Sequence, residues 1–499
     1  MARYVLSHRR AGKFGEDEHL QSRATLGAAL QRMEAEVEVV RDFEPEDPTA
    51  RRVLIVEAEP ADMAARVRDL PPDVLLEPEI LHWPVTNVPI DFIGVRAVPA
   101  TAAPAAAGAT RSVAVQILGA GSPLAHANVI LFLRGPGGAE NKLEGTTDAG
   151  GTVSFSFASF WRPSALVAVP YAGFWTMVVR GVGPSVTVDC PSLPQDGPIG
   201  WWHDFVSSDG ALQIGVGIRV GVADTGFGPH PGLAHLVDAG AFINGQHQPG
   251  GATDADSHGS HVCGIIGARP TGAGEYAGIA PGVDLVCARV FPPGGGANQG
   301  DIANAIDELS RNRNVDLINL SLGASSASQI EQDAIRDALE RGTVCVCAAG
   351  NEAGPVLFPA AFPETVAVSA LGFEGWGPAG SLAASRLPVD RALFGDNGLF
   401  LANFSCFGPE VTVAGPGVGL LSTVPARHGL TAPYGVMDGT SMASPAVCAV
   451  WAGLLAQDAT YVQLPRDKTR AQMALAILRQ HVSDIGLESR FQGLGLPGL

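Results

Sequence analysis

Four polar residues that together could cleave a peptide or ester bond follow one another along the chain, as Asp224, His258, Asn351 and Ser441. Acyl transfer to water needs a nucleophile, a base that takes its proton, a carboxylate that holds the base, and a donor for the oxyanion. Serine, histidine, aspartate and asparagine are residue types suited to these four roles. The set therefore indicates hydrolysis through an acyl-enzyme.

Each of these residues also has an ordinary structural explanation when it is taken alone. Asp224 and Asn351 both follow strand-like runs, where either residue type commonly forms a turn. His258 could be a surface or helix-capping residue. Ser441 stands directly before a long apolar helix, and serine is a common N-cap in that position. Only the combination of the four favours catalysis.

Strands that alternate with helices from about residue 214 onward are the elements that must position these side chains. Runs rich in Val and Ile, such as GIRVGVA, are typical of buried parallel strands with helices on both faces. In such sheets, sites gather at the carboxyl ends of the strands, where Asp224 and Asn351 fall. Ser441 would begin the helix that runs to Leu455, and the partial positive charge of that helix terminus favours an oxyanion.

Five motifs around these residues resemble those of the subtilases, the subtilisin-like serine peptidases: ADTG, HGSHVCG, INLSLG, AAGNE and DGTSMASP. They follow the family's order within roughly residues 217–457, about half of the chain. The resemblance implies a catalytic triad of Asp224, His258 and Ser441, in which His258 acts as base and then as acid. It also implies that Asn351 is the oxyanion donor.

The same resemblance implies where a substrate lies. The strand edge at Ser321, Leu322 and Gly323 is expected to pair with an extended peptide. The specificity pocket is expected at four small or apolar residues: Ala348, Ala349, Gly350 and Leu357. Because relatives often have a small residue at the floor of this pocket, Leu357 suggests a shallow pocket for small apolar side chains.

No cofactor and no metal are predicted. The chain reads HPGL at His230–Leu233, where relatives often have HPDL with a calcium-binding aspartate. The loop ARPTGAGEYAG is short and lacks the asparagine ligand common there, so the family's calcium site is not expected. The oxygen-rich segment DADS (Asp254–Ser257) could hold a cation, but a solvated loop is the preferred interpretation.

Two further units are predicted ahead of a subtilisin-like domain at residues 191–499. Residues 1–95 read as β-α-β-β-α-β, with Ser22 opening the first helix, which predicts a ferredoxin-like α+β domain. An Ala/Pro-rich linker at 96–112 and short strands at 113–190 predict a tethered β-sandwich. The first unit resembles subtilase inhibitory propeptides, whose tail lies in the active cleft, and the second resembles carboxypeptidase-regulatory or transthyretin-like modules. The predicted fold class is α/β, with a three-layer αβα catalytic domain and a mostly parallel sheet.

Composition disfavours several partners and compartments. The 499-residue chain has a net charge of −18, which disfavours nucleic acid, and no apolar run approaches the ~18 residues of a membrane span. The start, MARYVLSHRRAGKFGEDEHL, has no apolar secretory segment. The seven cysteines suggest buried free thiols in a reducing compartment. A cytoplasmic location is therefore predicted.

The predicted function is a serine endopeptidase that acts on peptides or proteins and is restrained by its N-terminal domain. Two alternatives stay open: a latent protease that a protein partner activates, and a catalytically silent scaffold with the same fold. An insertion-like segment at 372–404 could be a lid, a second binding surface or a plain surface loop.

Overall fold

The computed structural model describes residues 1–8, 16–33, 37–45, 47, 50–84 and 110–499. The predicted linker at 96–112 lies outside these residues, apart from 110–112, which begin a strand.

The N-terminal unit, residues 1–84, contains an antiparallel sheet with the strand order β2-β3-β1-β4. Its elements are β1 (Ala2–His8), α1 (Glu16–Met33), β2 (Glu38–Phe43), β3 (Val53–Ala58), α2 (Pro60–Arg66), β4 (Val74–Pro78) and a separate strand β5 (Leu81–Pro84). One face of the sheet buries Leu6 and Leu54 against Leu26 and Met33 of α1. The predicted start of the first helix was wrong, because α1 already begins at Glu16 and Ser22 is buried within it.

Residues 110–190 form a β-sandwich. One sheet has the order β10-β6-β13 with β7 beside β6, and the other has the order β12-β11-β8-β9. The strands are β6 (Thr110–Gly119), β7 (Ser122–Pro123), β8 (Asn128–Arg134), β9 (Glu140–Thr146), β10 (Thr152–Ala158), β11 (Arg162–Val169), β12 (Met177–Arg180) and β13 (Ser185–Cys190). Val115, Leu131, Phe155 and Leu166 share the core between the sheets. The mostly polar edge strand β9 was not predicted, because its sequence ENKLEGT lacks alternating apolar residues.

The C-terminal unit, residues 191–499, is built on a mostly parallel sheet with the order β16-β15-β17-β14-β19-β21-β22-β23, and β24 pairs with β22. Its strands are β14 (Arg219–Asp224), β15 (Val237–Ile243), β16 (Gln246–Gln248), β17 (Asp284–Arg289), β18 (Ala297–Asn298), β19 (Leu317–Leu320), β20 (Leu322–Gly323), β21 (Val344–Ala348), β22 (Val366–Phe373), β23 (Leu399–Leu401), β24 (Val411–Pro416), β25 (Leu420–Thr423), β26 (Tyr434–Met437), β27 (Val482–Ser483) and β28 (Leu496–Pro497). Its helices are α3 (Trp201–Phe205), α4 (His258–Gly267), α5 (Gln299–Asp307), α6 (Gln329–Glu340), α7 (Thr440–Gln457), α8 (Lys468–Gln480) and α9 (Ser489–Gln492).

Helices cover both faces of this sheet. Val220 and Val222 of β14 face the cluster that contains α4 and α7, whereas Ala223 and Ile318 face the cluster that contains α5 and α6. This alternation follows from the two-residue period of a strand. The predicted three-layer α/β fold with a mostly parallel sheet is confirmed.

The N-terminal unit lies against α5 and α6 of the C-terminal unit. Val5, Val53 and Leu75, on the sheet face opposite α1, share a hydrophobic cluster with residues of both helices. The run DVLLEPEIL, predicted as one strand, instead contains β4 and the start of β5. β5 leaves the first sheet and lies between β18 and β20, antiparallel to both.

The segment at 372–404 is a contact between the β-sandwich and the C-terminal unit. The ring of Trp376 meets that of Trp175 edge-on, with 5.6 Å between their centroids. The backbone N–H of Val178 donates to the Gly380 carbonyl at 2.9 Å, and that of Leu382 donates to the Thr176 carbonyl at 2.8 Å. The sequence did not predict this packing.

All seven cysteines lie in the described part of the chain, where they are buried free thiols. Burial raises the pKa of Cys190 and of Cys406 to about 12. A thiol that is buried and protonated reacts poorly whatever the redox state of the surroundings. These free cysteines therefore carry little information about the compartment.

Across the described ranges, the helices are too short or too polar to cross a lipid bilayer.

Candidate active site

Asp224 and His258 meet at the carboxyl edge of the sheet. Asp224 ends β14 and His258 begins α4, and His258 Nδ1 lies 2.7 Å from Asp224 Oδ1. Both side chains are buried. A carboxylate bonded to Nδ1 fixes the tautomer in which Nε2 carries the lone pair, and this is the form of histidine that can accept a proton.

Burial and the Asp224 carboxylate have opposite effects on the basicity of His258. Burial by itself lowers the pKa of the imidazole, but the charge and hydrogen bond of Asp224 outweigh it and raise the pKa above its ordinary value. One turn further along α4, His261 contacts the Leu420 carbonyl at 3.1 Å, and burial lowers its pKa to about 3. The two histidines of α4 therefore differ because the Asp224 carboxylate raises the pKa of His258, whereas burial lowers that of His261.

A glycine allows α4 to start so close to β14. A Cβ at position 259 would lie 2.1 Å from the Gly226 carbonyl oxygen, which no side chain can tolerate. The Gly259 N–H donates to Thr225 Oγ1 at 2.8 Å, and this bond ties the start of the helix to the end of the strand.

Ser441 is the second residue of α7 and is fully buried. Its Oγ donates to the Ser321 carbonyl at 3.1 Å, and Ser321 Oγ donates to the Ser441 carbonyl at 2.9 Å. His258 Nε2 is buried and has no hydrogen-bond partner within the described ranges. The Ser441–His258 hydrogen bond of a working triad is therefore not formed in this arrangement. Catalytic hydrogen bonds of this kind commonly tighten only with substrate in place.

Asn351 is fastened to the residue before Ser441. Its Oδ1 accepts hydrogen bonds from both the N–H and the Oγ1 of Thr440, each at 2.9 Å. With the oxygen end of the amide fixed in this way, its NH2 end is the donor. The preceding Gly350 has a φ of +117°, and a Cβ there would lie 2.8 Å from Cys406 Sγ and from Leu357 Cγ. The backbone turn that presents Asn351 therefore requires glycine.

The predicted substrate residues divide into two groups. Gly323, Asn351 and Leu357 line a common cleft of about 740 Å³, together with Trp83 and Pro84 of β5. Leu322 pairs with Pro84, Gly323 pairs with Trp83, and Ser321 lies against Ser441. The three remaining predicted residues do not line this cleft and are all buried: Ala348, Ala349 and Gly350.

Asp254 is a residue of this site that was not predicted from the sequence. Its Oδ1 accepts from Thr225 Oγ1 at 2.9 Å, and its Oδ2 accepts from the Ser260 N–H at 2.9 Å. It therefore connects the residue after Asp224 with the first turn of α4, and burial raises its pKa. The solvated-loop interpretation of DADS was wrong for this buried residue. An aspartate just ahead of a helix start is the signal that could have identified it.

Within the described ranges, no group of three or more His, Cys, Asp or Glu side chains is arranged to hold a metal ion. The absence of cofactors and of the family's calcium site stays a prediction.

Comparison with known proteins bears on the C-terminal unit. The profile of a family described as "Subtilase family" matches residues 215–495. The chain is 32% identical to the Minor extracellular protease Epr of Bacillus subtilis (strain 168) over 285 residues, 56% of this chain and 37% of that protein. It is 31% identical to the Thermostable alkaline protease of Halalkalibacterium halodurans over 254 residues, 50% of this chain and 61% of that protein. It is 31% identical to Subtilisin Savinase of Lederbergia lenta over 234 residues, 47% of this chain and 74% of that protein.

These comparisons contradict the predicted cytoplasmic location. The relative from Bacillus subtilis is named as an extracellular protease, which points away from the cytoplasm. The prediction rested partly on free cysteines, and their burial removes that support. The chain spans 37% and 61% of the length of the first two of these relatives, so their names do not settle what the whole protein does.

The profile and the geometry concern the same residues. The matched range contains the hydrogen-bonded pair Asp224 and His258, together with Asn351 and Ser441 at the start of α7. It also contains the mostly parallel sheet whose carboxyl edge positions them. With more than half of its residues matched by the family profile, the chain belongs to the subtilase family.

Proposed function

We propose that this protein is a serine endopeptidase that hydrolyses peptide bonds through an acyl-enzyme formed on Ser441. The observation that carries the proposal is the 2.7 Å contact between His258 Nδ1 and Asp224 Oδ1, made at the sheet edge where α7 also begins. Membership of the subtilase family supports it. The substrates are peptides or proteins, since a strand edge that can pair with an extended chain adjoins Ser441.

Each residue has a defined task in the reaction. His258 Nε2 takes the proton of Ser441 Oγ as the oxygen attacks the scissile carbonyl, and it then gives that proton to the leaving amine. Asp224 stabilises the imidazolium that forms. Asn351 and the N–H of Ser441 donate to the oxyanion at the positive end of α7. Water then repeats the sequence and releases the acyl group.

The N-terminal unit restrains this activity. Trp83 and Pro84 of β5 pair with the same edge, Leu322–Gly323, that a substrate strand would use. The opposite side of β5 pairs with Ala297–Asn298, so the segment is held from both sides. A substrate can reach the cleft only after β5 has left it.

The proposal also includes a protein partner that activates the peptidase. Such a partner would act by drawing the N-terminal unit away from α5 and α6, which would release β5. Full activity of the purified and uncut chain, measured without any partner, would contradict this part and leave the peptidase assignment intact.

Labelling of the full chain with a fluorophosphonate probe tests the proposal. The intact mass of the wild type should rise by one probe adduct at the slow rate at which β5 leaves the cleft, and Ser441→Ala should stay unlabelled. Ser444→Ala is the matched control, because Ser444 lies one turn along α7 and its Oγ contacts Asn319 Oδ1. Asn351→Ala should lower the rate of peptide hydrolysis by about 10²–10³-fold, the size reported for such a donor in another subtilase. A wild type that stays unlabelled even when β5 is displaced would favour the silent scaffold.

A further inference from the structure

One side chain of β5 enters the C-terminal unit completely. His82 is 0% exposed, whereas its neighbours Leu81 and Trp83 are 43% and 52% exposed. Successive side chains of a strand point to opposite sides, so this alternation follows from the pairing of β5 with β18 and β20. The segment 79–84, which contains β5 and is called the tail below, therefore inserts the His82 imidazole into a pocket of the C-terminal unit.

Glu331 is the polar group that His82 meets in this pocket. It lies in the first turn of α6, is 0% exposed, and its Oε2 is 3.2 Å from His82 Nε2. Within the described ranges neither of its carboxylate oxygens accepts a regular hydrogen bond, and the contact with His82 is a close approach of the two side chains and not an aligned hydrogen bond. Its backbone N–H is capped by Ser328, but its side chain takes no part in that cap. The carboxylate is thus held in the pocket without a structural bond of its own.

Acidic groups of the described residues lie close enough to sense the charge of Glu331. They include Glu77, Cys345 and Cys347. Burial raises the pKa of each of these groups, and the Glu331 charge raises it further. A donor for the carboxylate must therefore come from whatever side chain occupies the pocket.

A buried carboxylate without a donor is unfavourable, and a basic occupant removes that penalty. Lysine, arginine or histidine can supply an N–H together with positive charge. An apolar occupant leaves the carboxylate dehydrated and without a donor, and an acidic occupant adds repulsion. The pocket therefore discriminates by charge as well as by size.

We propose that Glu331 makes the pocket filled by His82 a substrate subsite that selects a basic side chain. The selected substrate residue is the one that lies opposite Ala297, one position before the residue that pairs with Gly323. The proposal rests on the peptidase function proposed above. It assigns Glu331 a part in choosing both the segment that blocks the cleft and the substrates that replace it.

The test uses the full chain carrying Ser441→Ala and follows hydrogen exchange in the segment 79–84. In this background, His82→Lys should exchange about as slowly as the parent, and His82→Leu should exchange at least about tenfold faster. Adding Glu331→Leu should reverse the order, so that His82→Leu is the slower of the two. Glu331→Gln is the matched variant of equal shape, and it should narrow the difference between lysine and leucine.

A second measurement examines the pocket with an added ligand. A peptide of residues 79–84 carrying His82→Lys should compete with the tail and speed its exchange at a concentration about tenfold lower than the peptide carrying His82→Leu. Unchanged exchange in β21 verifies that each variant is folded, and Glu331→Gln replaces Glu331→Leu if the latter unfolds.

Equal protection of the tail in His82→Lys and His82→Leu, with Glu331 present, would overturn the proposal. The proposal would also be overturned if Glu331→Leu and Glu331→Gln both left the relative hydrogen-exchange rates of His82→Lys and His82→Leu unchanged. Neither result depends on catalysis, because Ser441 is absent throughout. Failure of fluorophosphonate labelling at Ser441 even after β5 has been displaced would instead count against the peptidase assignment.

Discussion

The N-terminal unit and the β-sandwich contact the C-terminal unit through chemically different surfaces. In the first contact, the buried guanidinium of Arg51 lies 3.2 Å from Asp307 Oδ2 and 3.0 Å from Asp337 Oδ2. The second contact is largely aromatic, and its rings include Trp175, Tyr171 and Trp376. The first contact combines these buried charge pairs with an apolar cluster that includes Val5, Val53 and Leu75, whereas aromatic rings dominate the second.

The two surfaces respond differently to separation. Charged groups regain water when a contact opens, and this offsets much of the attraction they lose. Aromatic surface gains nothing comparable from water, so opening that contact costs its full hydrophobic free energy. We therefore expect the N-terminal unit to be the releasable partner, and the β-sandwich to act as a permanent part of the fold.

Arg51→Leu should give the largest effect on the active site. It removes the guanidinium from between two buried carboxylates, and breaking such a pair costs about 3–5 kcal/mol. The N-terminal unit should dock about 10²–10⁴-fold more weakly. Because β5 leaves with that unit, the rate of fluorophosphonate labelling at Ser441 should rise steeply.

Arg52→Leu is the matched control for this change. Arg52 is the next residue along the chain, but its Nε donates to Asp42 within its own unit at 2.9 Å. Its loss should leave the labelling rate close to that of the wild type. Equal labelling rates for Arg51→Leu and wild type would remove the basis for calling this contact releasable.

Trp376→Ala should lower the thermal stability of the protein without changing the access of the probe to Ser441. The ring packs on Trp175 and Trp202, and its Nε1–H donates to the Gly419 carbonyl at 2.8 Å. Truncating such a ring costs about 3 kcal/mol, so the midpoint of thermal unfolding should fall by several degrees. The labelling rate at Ser441 should stay unchanged. Val389→Ala, at a fully exposed position of the same segment, should change neither quantity.

The smallest expected effect concerns the pH dependence of the sandwich contact. His428 stacks on His126 with centroids 3.9 Å apart, and Tyr171 meets its ring edge-on. Lost hydration, with the nearby His126 and Arg427, lowers the pKa of His428 below 6.5. The stability it contributes is therefore complete above pH 6.5 and is lost as the pH falls further.

Comparison of melting midpoints at about pH 7.5 and about pH 5 measures this effect. His428→Asn should lessen the acid loss of the midpoint by only about 1 °C, because solvent screens an exposed pair. Asparagine suits the test, since it tolerates the φ of +56° at this position. An equal acid loss in wild type and variant would show that the histidine stack contributes nothing.

The sequence was most informative where chemistry restricts residue choice, and least informative where packing decides. The pairing of Asp224 with His258 could be anticipated, because strand ends and a helix start must bring the two residues together. The insertion of His82 could not, because nothing in DVLLEPEIL marks the point where β5 leaves its sheet. Glu331 reads as an ordinary residue in the first turn of a helix. Its significance depends on a segment about 250 residues away that only the tertiary structure brings near.

The position of β5 also has a consequence for how the cleft responds to dilution. Because the blocking strand and the cleft belong to one chain, the strand is present at a fixed effective concentration. Dilution therefore cannot open the cleft while the chain is intact. A single cut between residues 85 and 109 would make the association bimolecular, and the occupancy of the cleft would then fall with protein concentration. One backbone cleavage would thus convert a concentration-independent block into one that disappears as the molecules disperse.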